Sequence, residues 1–159
     1  MRVVIFCHTL RSDWNHGNAH FLRGITSELQ RRGHLVTVLE PRGAWSAEQL
    51  VRDAGATALD GYRAVYPDLS PRTYDAASPD LDEALDGADL VMVHEWTEPS
   101  VVAEIGRRRA RGARFALLFH DTHHRTASKR DEIAQLDLSG YDGVLAFGDV
   151  IAERYRREG

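Results

Sequence analysis

The densest group of titratable side chains in the chain is His120-Asp121-Thr122-His123-His124. Imidazoles and a carboxylate this close together could ligate zinc, or one imidazole could act as a general base or positioning group. The neighbours His123 and His124 cannot both face the same way in regular structure. A complete metal site would therefore need ligands from elsewhere, and His94 and Glu95 are the available pair. The metal-free reading is preferred, with His120 as the working side chain and no metal or cofactor expected. An exposed loop that merely happens to be rich in histidine would need no chemistry at all, and His120 is the residue hardest to assign to it.

A second polar stretch spans 8–18, His8-Thr9-Leu10-Arg11-Ser12-Asp13-Trp14-Asn15-His16-Gly17-Asn18. Gly17 and Asn18, at the start of a helical pattern, could present backbone N–H groups to an anion. A capped helix with a flexible lead-in would use the same residues. A dinucleotide fingerprint is excluded, because it requires three closely spaced glycines and only Gly17 precedes the helix. Trp14 must pack on something, either a sugar-like face or the loop's own wall.

The surrounding elements place these residues. Apolar runs over 3–7, 34–40, 89–94, 114–119 and 143–147 read as strands buried on both faces, as in a parallel sheet. Helical patterns fall between them. Phe21, Leu22, Ile25 and Leu29 recur at helical spacing with Gly33 as the stop. Further helices are expected over 46–52 with Ser46 as cap, 79–85, 98–111 with Val101, Val102 and Ile105 buried, 127–136 and 149–157. The stretch 53–79 is the least regular, with one short strand candidate at 62–66. This alternation predicts an α/β fold: a doubly wound parallel sheet, Rossmann-like, with helices on both faces and a single domain over 1–159. His8, Glu40, His94, Glu95, His120, Asp121 and Gly148 then gather at the carboxyl edge of the sheet, where ligands of such folds bind. The run Arg107-Arg108-Arg109 closes a helix and is expected to be a solvated end rather than a phosphate site.

At 159 residues, 43% hydrophobic and 28% charged, the composition is that of an ordinary globular domain. A net charge of -4 without a basic face gives no reason to expect nucleic acid. No apolar run approaches the ~18 residues of a membrane span, and no signal-peptide pattern opens the chain, so the cytoplasm is the expected location. The single cysteine, Cys7, cannot form an internal disulfide and falls in a buried strand, so it is expected to be a core residue rather than a nucleophile.

Taken together, residues 3–7, Asn15-His16-Gly17-Asn18, Phe21-Leu22-Arg23-Gly24-Ile25 and the "RRGHLVTVLE" turn and strand resemble the amino-terminal domain of GT-B glycosyltransferases. The closing segment 141–155 resembles the last strand and helix of that domain. Phe119-His120-Asp121-Thr122-His123-His124 is similar to the group related to spore-maturation-type glycosyltransferases. The resemblance implies an acceptor-side domain, with a nucleotide-sugar donor bound by a carboxyl-terminal domain outside this sequence, an unknown acceptor, and little activity for this half alone. It implies that Gly17 approaches the donor phosphates and that His120 contacts the transferred sugar. With the edge clustering it gives His120 as the catalytic candidate and Asp13, Asn15, Gly17, Asn18, His94, Glu95 and Asp121 as substrate-binding candidates. The family's pair of glutamates seven residues apart has only a chance match at Glu40 and Glu48, so Glu48 carries no weight. The competing expectation is a small metal-dependent hydrolase built on His94, Glu95 and the 120–124 cluster. A receiver-type module ranks last, because Cys7-His8 stands where magnesium-binding acids would be needed.

Overall fold

The computed structural model describes residues 1–15, 17–122 and 135–158. Within them the chain runs β1 (Arg2–Phe6), α1 (Asn18–Arg31), β2 (Leu35–Pro41), α2 (Trp45–Ala54), α3 (Ala58–Val65), β3 (Arg72–Tyr74), α4 (Leu81–Leu85), β4 (Leu90–His94), α5 (Pro99–Ala110), β5 (Ala116–Asp121), β6 (Gly143–Ala146) and α6 (Asp149–Glu158). The six strands form one sheet in the order β3-β2-β1-β4-β5-β6, and every pairing is parallel. The order reverses between β1 and β4. In a doubly wound sheet that is where a crevice opens beyond the carboxyl ends of the strands.

Strand alternation divides the core into two layers. Val4 and Phe6 of β1 join Val91, Val93, Leu117 and Phe119 beneath α5, where Val101, Val102 and Ile105 are buried as expected. Val3, Ile5 and Cys7 point the other way, to Leu22 of α1, Val38, Met92 and Tyr62 of α3. Helices thus cover both faces of one Rossmann-like domain. Gly33, at a φ of 81°, closes α1. Its own N–H reaches the Gln30 carbonyl while that of His34 reaches Leu29, the paired bonds that end a helix through a left-handed residue.

The structure corrects several sequence expectations. Residues 62–66 are not a strand. Tyr62 lies in α3, and its ring meets that of Tyr66, one helical turn on, at 5.4 Å. The third strand comes later, as β3, and pairs with the end of β2. The buried face of α1 is Ala19, Leu22, Arg23 and Thr26, so Phe21 is left 41% exposed. α2 begins at Trp45, and Ser46 is not its cap. β5 runs through Asp121, so His120 and Asp121 are strand residues rather than loop residues. The helix expected over 127–136 falls largely outside the described residues. The triple arginine is tied down: Arg107 pairs with Glu104, Arg108 with Asp82, and Arg109 with Asp142 before β6.

Candidate functional site

The loop between β1 and α1 is shaped by two buried charges. Glu40, at the end of β2, is fully buried and accepts hydrogen bonds from the Leu10 N–H, from the Arg11 N–H at 3.3 Å and from Arg11 Nε at 2.7 Å. Arg23 of α1 donates Nε to the Leu10 carbonyl at 2.7 Å and meets Asp13 at 3.1 Å. Its guanidinium lies 5.2 Å and 5.1 Å from the Tyr62 and Tyr66 ring centroids, which explains why a charge occupies the buried face of α1. The Ser12 hydroxyl bonds Ser46, and the Ser46 hydroxyl donates to the Trp14 carbonyl at 2.7 Å. Ser46 therefore fastens the first loop to α2 instead of capping a helix. Charge pairing and hydroxyl bonding hold residues 10–14 of this loop.

The substrate-binding candidates on this loop have different surroundings. Asp13 is engaged by Arg23 and by His20 at 3.1 Å. Asn15 is exposed and takes a left-handed φ of 46°, a conformation its short polar side chain tolerates. Gly17 is exposed, stands at the N-cap of α1, and contributes no side-chain cap. Asn18 donates Nδ2 to the Thr122 hydroxyl at 2.6 Å, joining the start of α1 to the exit of β5. Trp14 packs on α2 rather than on its own loop, edge to face with Trp45 at 5.1 Å and with its indole N–H on Asp53 at 2.8 Å.

Beyond the switch point, His94 and His120 are register partners on β4 and β5. Phe21 of α1 stacks on His120 at 5.2 Å, and His94 meets it edge to face at 5.1 Å. Burial holds the His120 imidazole below its ordinary pKa, partly opposed by the Glu95 carboxylate, so the ring is neutral at neutral pH. Its Nδ1 is buried and has no hydrogen-bond partner among the described residues. Packing, rather than a hydrogen bond to that nitrogen, sets its orientation. His94 accepts the Trp96 N–H on Nδ1 at 3.3 Å, and His8 accepts the Ser46 N–H on Nε2 at 3.3 Å. Burial lowers the His8 pKa as well.

The two carboxylates have separate tasks. Glu95 is buried and its Oε1 accepts both the N–H and the hydroxyl of Thr122, at 2.9 and 2.8 Å. It thereby fixes the turn that follows His120. Asp121 alternates to the opposite face of β5 and takes the Tyr155 hydroxyl of α6 at 2.9 Å. The set His94, Glu95, His120 and Asp121 therefore does not converge on one point, and the hydrolase reading gains no support. Among the described residues no group of three or more His, Cys, Asp or Glu could hold a metal ion, while His123 and His124 lie outside those residues. The Cys7 thiol is fully buried and pushed well up by burial and by Glu40, the state of a core residue.

Sequence reasoning identified the strand ends but missed Phe21, Arg23 and Thr122. A signal was present in each case: an aromatic beside the apolar stripe of α1, an arginine within that stripe, and a threonine between the histidines. What these residues touch was not readable.

What this arrangement offers chemically is a neutral, nearly buried imidazole at the carboxyl edge of the sheet, beside a helix start and a firmly built loop. Such a group can accept or donate a hydrogen bond to a hydroxyl or a developing oxyanion without introducing a charge. Among the described residues no helix is long and apolar enough to cross a membrane. No curated protein and no solved structure matches the chain. A family model described as a glycosyl transferase 4-like domain matches residues 16–159.

Proposed function

We propose, from the premise that the chain belongs to the glycosyl transferase 4-like domain family, that it is the acceptor-side half of an enzyme moving a sugar from a nucleotide-sugar donor to an acceptor hydroxyl. In such a transfer the bond between the anomeric carbon and the donor phosphate breaks, and the nucleoside diphosphate leaves. A new bond forms to the acceptor oxygen, which gives up its proton.

The observation that carries the assignment is the meeting of His94, His120 and the start of α1 at the reversal of strand order. His120 is assigned the transferred sugar, whose hydroxyl a neutral, packed imidazole can orient. His94 and Glu95 are assigned the support of that position, and Asp13, Asn15, Gly17 and Asn18 line or brace the approach, while Asp121 holds α6 on the other face of β5. The Gly17 turn is assigned to the donor phosphates, since an uncapped helix start suits an anion. Nucleotide binding is assigned to a second domain, and this half alone is assigned little turnover because part of the transition-state stabilisation lies there. A single buried thiol suits the cytoplasm.

The test is release of nucleoside diphosphate from a panel of nucleotide sugars by the full natural polypeptide. Release that depends on an added acceptor is the expected result. No release from any donor under conditions where the protein is folded contradicts the proposal.

A further inference from the structure

His120, the residue assigned to the sugar, is only 3% exposed. A side chain that orients a ligand must first be reached, so something beside it has to move. Among the described residues its ring has two aromatic neighbours. His94 meets it edge to face, is fully buried and is held in register on β4. Phe21 stacks on the imidazole at 5.2 Å, with the two planes 28° apart. It belongs to α1, is itself 41% exposed, and meets Phe147 edge to face at 6.4 Å, a residue that is 66% exposed. Of the two neighbours of His120, Phe21 is therefore the one that can turn away.

Room for that turn lies next to it. Along α1 runs an open groove of about 470 Å³ lined by Phe21, Gly24, Ile25 and Leu29 together with Glu28 and Arg32. Gly24 stands three residues after Phe21, on the same side of the helix, and a Cβ added there would meet nothing within 4 Å. Glycine inside a helix costs stability, and here it keeps the groove empty. The charges at the groove are already paired, Glu28 with Arg31 and with Arg32, each at 2.7 Å. Aromatic side chains on a helix have two favoured staggered χ1 positions, so a ring can change sides by rotation about one bond without disturbing the backbone.

We propose that Phe21 is a gate on His120: shut when its ring stacks on the imidazole, open when the ring lies in the Gly24 groove. This deepens the glycosyl-transfer reading and rests on it for the ligand that His120 meets. In the shut state His120 Nδ1 is buried without a hydrogen-bond partner among the described residues. A hydroxyl-bearing ligand that satisfies the imidazole gains more from the open state than from the shut one, and so shifts the gate toward opening.

The experiment is carbethoxylation of the 159-residue chain by diethyl pyrocarbonate at neutral pH, with the rate at His120 located by fragment-ion mass spectrometry. His20, whose side chain is 65% exposed, is the internal reference. His120 should react much more slowly than His20 in the parent. Phe21→Ala removes the gate and should speed reaction at His120 about three- to tenfold, the effect of losing one aromatic contact. Gly24→Leu fills the groove without touching His120 and should slow it. Thermal unfolding confirms that both variants are folded, and Gly24→Leu should gain helix stability.

A parent rate at His120 equal to that at His20 overturns the gate. So does a rate unchanged in folded Phe21→Ala, or one unchanged or raised in Gly24→Leu. Nucleotide-sugar turnover is read separately in the full natural polypeptide. Turnover with His120 reactivity unmoved by either variant overturns the gate and leaves the transferase reading standing. Reactivity shifted in the two opposite directions, without turnover of any donor, keeps the gate and overturns that reading.

Discussion

His94 and His120 face each other across adjacent parallel strands, their rings edge to face with centroids 5.1 Å apart. Parallel register makes this contact follow from the backbone, because partner residues on neighbouring strands project to the same side. Phe21 covers another side of the His120 ring, so the imidazole has little room to turn. The site is thus oriented by packing, and its sensitivity to substitution should follow packing and burial more than surface charge.

Removing the carboxylate that shapes the first loop should show this. Glu40→Gln keeps the volume but removes the charge that pairs with Arg11 and weakens the bonds from Leu10 and Arg11. The expected loss is about 1–3 kcal/mol of stability, read as a lower midpoint in urea with an unchanged slope. A midpoint equal to the parent's would show that the loop does not depend on this charge.

The bridge from α1 to the exit of β5 makes a second case. Thr122→Val preserves shape and removes the hydroxyl that accepts from Asn18 and donates to Glu95. A cost of about 1–2 kcal/mol is expected, with faster amide exchange at the carboxyl end of β5 than in the parent. Equal exchange in the two proteins would deny the bridge a role.

A close backbone approach supplies a third. A Cβ added at Gly140 would sit against the Gly106 carbonyl oxygen and 2.8 Å from Gly106 Cα, where α5 passes the segment leading to β6. Gly140→Ala should therefore destabilise by about 1–3 kcal/mol through overpacking. Calorimetry would reveal it as a lowered Tm, and an unshifted Tm would mean the two segments separate at little cost.

The pH dependence has a definite sign. His8 and His120 both have folded pKa values held below the ordinary 6.5 by burial, with Glu95 opposing the shift at His120. As pH falls, the unfolded chain takes up these protons first. Their contribution to stability is complete above pH 6.5 and is lost as pH drops below it and through the folded values. The low-held carboxylates Asp137 and Asp142 titrate beneath this window, from ordinary values of 3.8. Thermal scans at about pH 7.5 and about pH 5.5 should show a smaller Tm difference for His120→Gln than for the parent. Equal differences would remove His120 from this account.

Much of the fold was legible because a parallel sheet writes itself as apolar runs separated by helical patterns. The strands at 3–7, 34–40 and 89–94 needed little adjustment. The region 53–79 was harder to read, since α3 is short and β3 has only three residues pairing at the end of β2. The gathering of polar candidates at the carboxyl edge of the sheet was also readable, because polar residues at strand ends have no part in a parallel core. Its internal organisation was not. Whether Asp121 joins His120 depended on β5 continuing past Phe119, which sends the two side chains to opposite faces. The burial of Arg23 depended on Tyr62, Tyr66 and the Leu10 carbonyl, none of them near it in sequence.

The most direct test of the account is the turnover of a nucleotide sugar by the full natural polypeptide and by its His120→Ala variant, with circular dichroism confirming that both are folded. If His120 orients the transferred sugar, kcat should fall on the order of a hundredfold or more, and His120→Gln, which keeps hydrogen-bonding capacity, should recover part of the loss. Turnover by the folded His120→Ala protein equal to that of the parent would contradict the role assigned to this residue.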